Sequence, residues 1–89
     1  VVHDTYCSHF CSMEKNLKKE FGEHLKSLRI SRNLSQVELA FKGEFDRNYI
    51  GMLERGERNP SLKNLKRLAV ALEISLPELL NFETNDKSK

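Results

Sequence analysis

The chain has 89 residues, of which 38% are hydrophobic and 31% charged. That suits one small helical domain rather than two separate cores, and no apolar run approaches the roughly 18 residues of a membrane span. The formal net charge of +2 is unevenly placed: residues 29–67 carry nine Lys/Arg against five Asp/Glu, a net +4, whereas residues 68–86 carry four acids and no base. A basic middle beside an acidic C-terminal section suits one face for phosphates and another for a different contact.

Residues 1–12 precede Met13 and show no helical period, so they read as an extension without fixed structure, with the domain over 13–82. His3, Cys7, His9 and Cys11 match no zinc spacing and no Cys follows them, so no metal is expected. The stripe Leu17, Phe21, Leu25 and Leu28 predicts a first helix from about Glu14 to Arg32, with Gly22 allowing close approach of a neighbour. His24 lies among charged residues and reads as a surface residue. Ser35 and Glu38 form a capping box with Leu34 and Leu39 as its hydrophobic staple, opening a second helix over Gln36 to Lys42. Asp46 caps a third helix, Arg47 to Arg55, with Phe45 and Ile50 as staple and Gly56 as a left-handed stop. Ser61 caps a fourth, with Leu62, Leu65, Leu68, Ala69 and Leu72 at helical spacing. Ser75, Glu78, Ile74 and Leu79 repeat the box and staple for a fifth, Leu76 to Asn81. Residues 83–89 are polar and expected to fray. The reading is all-α, five helices.

Two capped short helices joined by a tight turn make Leu34 to Gly56 a helix-turn-helix. At roughly 100° per residue, Tyr49, Ile50 and Leu53 gather on one side of the third helix. Arg47, Asn48, Gly51, Met52 and Arg55 gather on the other. A guanidinium, an amide, a thioether and a bare backbone position suit base edges in a major groove.

This stretch resembles the helix-turn-helix of the phage-repressor (Cro/C1, or XRE-like) family. Ser35, Gln36, Leu39 and Ala40 match its opening, and Tyr49, Ile50, Leu53, Glu54 and Gly56 match its close. Asp46 to Leu65 is similar to the controller proteins of restriction–modification systems. The resemblance covers about residues 21–80 and implies a five-helix, lambda-repressor-like domain. In the family the turn glycine sits one residue later, where this chain has Glu44.

The resemblance implies a sequence-specific regulator of transcription, binding a double-stranded DNA operator as a cytoplasmic homodimer on paired half-sites. Base contact is expected from Arg47, as the matching arginine does in the controller proteins, with Asn48 and Met52 beside it. Phosphate contact is expected from Gln36 at the start of the second helix, and from Tyr49, Arg55, Arg58 and Lys63. Arg29 is expected to pair with Glu54, as the matching residues do in the repressors. The fifth helix either closes the core or leaves Leu76, Leu79, Leu80 and Phe82 for a two-fold contact, and the dimer is the favoured reading.

A second possibility is an antitoxin, a protein-interaction module that holds a toxin and regulates its own operon. An enzyme is not expected, because no phosphate-binding glycine loop or carboxylate pair on one stable element appears. No cofactor or small-molecule ligand is implied.

Overall fold

The computed structural model describes the backbone of residues 2–82 and the side chains of residues 17–82. Five helices follow in chain order: α1 (Val2–Ser31), α2 (Gln36–Gly43), α3 (Arg47–Glu54), α4 (Leu62–Leu72) and α5 (Leu76–Leu79). There is no strand among the described residues. The backbone of α1 reaches Val2, well before the expected start at Glu14 and through the stretch expected to be an extension. That stretch contains neither Gly nor Pro, and a nucleated helix gains one hydrogen bond for each residue it adds. The side chains of His3, Cys7, His9 and Cys11, and the tail at 83–89, lie outside the described residues. Among the described residues no group of His, Cys, Asp and Glu is placed to hold a metal ion, and no helix is long and apolar enough to cross a membrane.

Each short helix starts at its local signal. The Ser35 hydroxyl accepts from the Glu38 amide at 3.1 Å while the Ser35 amide donates to the Glu38 carboxylate at 2.8 Å. Ser75 and Glu78 repeat this box at 3.3 and 3.2 Å. Asp46 accepts from the Asn48 amide at 2.9 Å, and Ser61 from the Asn64 amide at 3.1 Å. Such caps satisfy backbone N–H groups that no carbonyl of the helix can reach. The helix ends are less regular. Asn33, Glu44 and Glu73 all take left-handed backbone, at φ of 58°, 60° and 62°, and only Gly56, at 77°, brings a glycine to that conformation. Glu44 therefore occupies the position where the resembling family has its turn glycine.

The core is built from fully buried Leu25, Leu39, Ile50, Leu53, Leu68, Leu72 and Leu79, one or more from each helix. Leu34, Phe45 and Ile74, the outer members of the three staples, pack against it half-buried. Leu62, expected on the inner stripe of α4, is exposed, because the apolar side chains of α4 that pack on the core begin at Leu65.

The expected dimer face on α5 needs correction. Leu79 is 0% exposed and belongs to the core of the single chain. As the inner member of the Ile74–Leu79 staple it is turned inward by the same cap that starts the helix. Leu80 is 43% exposed, and Leu76 and Phe82 pack half-buried against the core. Phe82 closes on α1, its ring 6.0 Å from Phe21 and 5.4 Å from His24. His24 is therefore half-buried rather than free on the surface, and its Nε2 lies 3.2 Å from the Glu78 carbonyl oxygen.

Two glycines mark opposite packing demands. A Cβ on Gly22 would stand 2.6 Å from the Glu54 carbonyl oxygen and closer still to that of Leu53, so α1 and α3 touch backbone to backbone there. A Cβ on Gly51 would meet only the ends of long side chains, Arg55 Nη1 at 3.1 Å and Gln36 Oε1 at 3.8 Å. Gly22→Ala should therefore destabilise the fold by about 1–3 kcal/mol through forced separation of the helices. Gly51→Ala should stabilise it by up to about 1 kcal/mol through helix propensity. Urea unfolding of the two variants reads the opposite signs, and a Gly22→Ala variant as stable as the parent would deny the close contact.

Candidate nucleic-acid interface

The third helix is held from behind by one charged pair. Arg29 Nε donates to Glu54 Oε2 at 2.6 Å and Arg29 Nη2 to Oε1 at 3.2 Å, a two-pronged contact between residues 8% and 9% exposed. The remaining hydrogen-bonding capacity is largely used. Arg29 Nη1 donates to the Leu34 carbonyl at 2.7 Å, and Gln36 Nε2 donates to Glu54 Oε1 at 3.0 Å. One cluster thus joins α1, the entry to α2, and the end of α3.

With its inner face fixed by Ile50 and Leu53, α3 turns the expected reading residues outward. Arg47 and Asn48 are exposed in its first turn and Met52 is half-buried one turn on. Arg58 and Lys63 are exposed on the following loop and at the start of α4. Among the described residues Arg47, Arg58 and Lys63 hold no ion pair. Arg47 also stands at the positive end of its helix dipole, where a cation is disfavoured and an acceptor is not. Gly51, placed on the outer face by its helical angle, is instead buried beneath Arg55 and Gln36.

The expected phosphate-binding residues divide by how free they are. Gln36 commits one amide N–H to Glu54 and keeps a second beside the first backbone N–H groups of α2. The Tyr49 hydroxyl accepts from Asn64 Nδ2 at 3.0 Å, which leaves its own proton available. Arg55 is already engaged. Its Nε and Nη2 donate to the two carboxylate oxygens of Glu57 at 2.9 and 3.2 Å. This hydrogen bonding, with the attraction of opposite charges, holds the Glu57 carboxyl below the usual carboxylate range and raises Arg55 further.

Three residues of this surface carried no local signal. Glu57 lies two residues after Arg55, outside the spacing of helical pairs. Asn64 and Arg67 act across elements: Arg67 Nη2 donates to the carbonyls of Gly43 at 2.8 Å and Glu44 at 2.6 Å, 24 and 23 residues away in sequence. Their only mark in the sequence is a helical spacing of three, which also describes many solvated pairs.

A capped, outward-facing helix behind a second helix at a tight turn is the geometry of a major-groove reader, and a helix-turn-helix family profile matches residues 25–79. The chain belongs to the helix-turn-helix family of DNA-binding transcriptional regulators. It is 40% identical over 73 residues to control protein C.BamHI of Bacillus amyloliquefaciens, covering 81% of this chain and 90% of that protein. It is also 40% identical over 63 residues to the immunity repressor of Bacillus phage phi105, covering 71% of this chain and 44% of that protein. The crystal structure of the restriction–modification controller protein C.AhdI from Aeromonas hydrophila matches with a TM-score of 0.67 at 49% identity, over 68% of this chain and 92% of that one. These relatives are regulators rather than enzymes.

Two outcomes follow from the geometry. Arg29→Ala or Glu54→Ala, each leaving a buried charge alone, should cost about 3 kcal/mol in urea unfolding, and replacing both by Met and Leu should cost less than either. Equal stability of parent and single variants would dismiss the pair as a structural link. If Arg55 takes the expected phosphate contact, Glu57 must first be displaced. Glu57→Gln should tighten binding to every duplex and steepen the salt dependence by up to about 1. In an Arg55→Ala background the same substitution should leave the slope unchanged, and a slope insensitive to Glu57 in both backgrounds would take Arg55 off the phosphate path.

Proposed function

We propose that the chain binds a specific double-stranded operator as a homodimer and controls transcription in the manner of the restriction–modification control proteins it is similar to. The observation that carries this reading is Arg47: exposed, without an ion pair among the described residues, and adjacent to the Asp46 cap on a helix whose opposite face is fixed in the core by the fully buried Ile50 and Leu53. A planar guanidinium so placed can donate to O6 and N7 of one guanine, worth about 1–3 kcal/mol of discrimination. Asn48 and Met52 extend the readable edge toward an adenine or a thymine methyl. Gln36, Tyr49, Arg58 and Lys63 flank it with donors for phosphates, joined by Arg55 once Glu57 is displaced.

A dimer suits this surface because such domains read two half-sites about 34 Å apart. Leu80, with the half-buried Leu76 and Phe82 beside it, supplies the apolar patch for a two-fold contact. Sedimentation of Leu80→Glu should give a helical monomer where the parent is a dimer. A parent that is monomeric at high micromolar concentration, or that copurifies with an unrelated protein on this patch, would support the antitoxin reading instead.

Base reading is tested with Arg47→Ala against a duplex selected by the parent from a random pool and against a scrambled duplex, at fixed salt. The selected duplex should lose about tenfold or more, at one G·C position, while scrambled binding is nearly kept. Equal losses on both would make Arg47 a phosphate clamp.

A further inference from the structure

The turn between α2 and α3 is held by a closed ring of four side chains. The Arg67 guanidinium carbon lies 4.4 Å from the centroid of the Phe45 ring, and Phe45 stacks on Tyr49 at 5.4 Å. The Tyr49 hydroxyl accepts from Asn64 Nδ2 at 3.0 Å, and Asn64 Oδ1 accepts from Arg67 Nη1 at 3.4 Å. Arg67 Nη2 also grips the carbonyls of Gly43 and Glu44, on either side of the left-handed residue. Left-handed backbone is unfavourable for glutamate, and no glycine is available to take that position. A Cβ on Gly43 would stand 2.6 Å from the Phe45 ring, so the glycine one residue early is needed where it is.

We propose that Arg67 is a positioning residue for DNA recognition. It locks the Gly43–Glu44 turn and thereby sets the angle at which the first turn of α3 meets DNA. The ring has a second consequence at Tyr49. Arginine can only donate, so Asn64 must present its oxygen to Arg67 and its NH2 to Tyr49. The Tyr49 oxygen then accepts, and its single proton is left to point outward, at a phosphate. A lysine at position 67 keeps the charge but lacks the planar fork that reaches two carbonyls, an amide and a ring face together.

The inference rests on the proposed operator binding, so its test has one arm with DNA and one without. Arg67→Lys should lower the preference for the parent-selected duplex over a scrambled one about tenfold, with scrambled binding unchanged. Adding Glu44→Gly, which takes the left-handed turn unaided, should restore most of that preference. Without DNA, hydrogen exchange at the amides of residues 45–49 should quicken in Arg67→Lys and slow again in the double variant. Parent-like preference in Arg67→Lys, or no recovery with Glu44→Gly, overturns the positioning role. Unchanged exchange overturns the lock itself, whatever the DNA result. If the parent enriches no sequence from the pool, the operator reading falls while exchange still decides the lock.

Discussion

The buried contact between Arg29 and Glu54 is the constraint to which the orientation of the recognition helix answers. Glu54 is the last residue of α3, where an acid meets the negative end of the helix dipole and is disfavoured. Burying it there is tolerable only with a cation and further donors at hand. Arg29, in the last turn of α1, brings two guanidinium bonds, and Gln36, the first residue of α2, brings a third donor. A hydrophobic pair of similar volume would fill the space with less desolvation. It would not dictate direction. Two prongs, an amide and the Leu34 carbonyl fix how α1, α2 and α3 meet, and the backbone contact at Gly22 fixes how closely.

The front of α3 is governed by a different economy of charge. Arg47 holds no ion pair among the described residues, while Arg55, at the other end of the helix, is covered by its own carboxylate partner. Contacts to phosphate bind all sequences alike, and base contacts separate them. On the proposed reading, Arg55 has to shed Glu57 before it can meet a phosphate, which would keep general affinity for DNA low without weakening the base contact proposed for Arg47. The modest net charge of +2 acts in the same direction.

What was legible in the sequence is what is decided within a few residues. The caps at Ser35, Asp46, Ser61 and Ser75 and the three staples depend on spacings of two to five, and α2 to α5 begin where those signals put them, with α2 and α3 ending within a residue of the expected bounds. The α1 start was not legible, because nothing in residues 2–12 stops a helix and nothing in their pattern requires one. Leu79 and Leu80 show the limit on a single turn. Leu79 is the last residue of a four-residue helix and Leu80 its C-cap, and only the staple geometry sends one inward and leaves the other out. Resemblance to the repressors named Arg29 and Glu54 as partners, since each sits in a recognisable motif position. It named neither Arg67 nor Asn64, whose partners on other elements are separated from them by 15 to 24 residues.

The displaced turn glycine joins these levels. With glycine at 43 instead of 44, Phe45 can fold back over the bare Cα and stack on Tyr49, an arrangement a side chain at 43 would block. The same displacement forces Glu44 into left-handed backbone. At Asn33 that conformation suits a residue that tolerates it, and at Glu73 it lies at the end of α4, away from the reading helix. At Glu44 it stands two residues before the cap of α3, so any relaxation there would tilt Arg47 and Asn48 directly. The stacked Phe45 offers its ring to a cation, and the two carbonyls flanking Glu44 offer acceptors. One guanidinium from α4 meets all of them. A turn that departs from the family's glycine pattern thus keeps its shape by recruiting a distant arginine, and the sequence change that creates the strain also builds the aromatic surface on which its remedy rests.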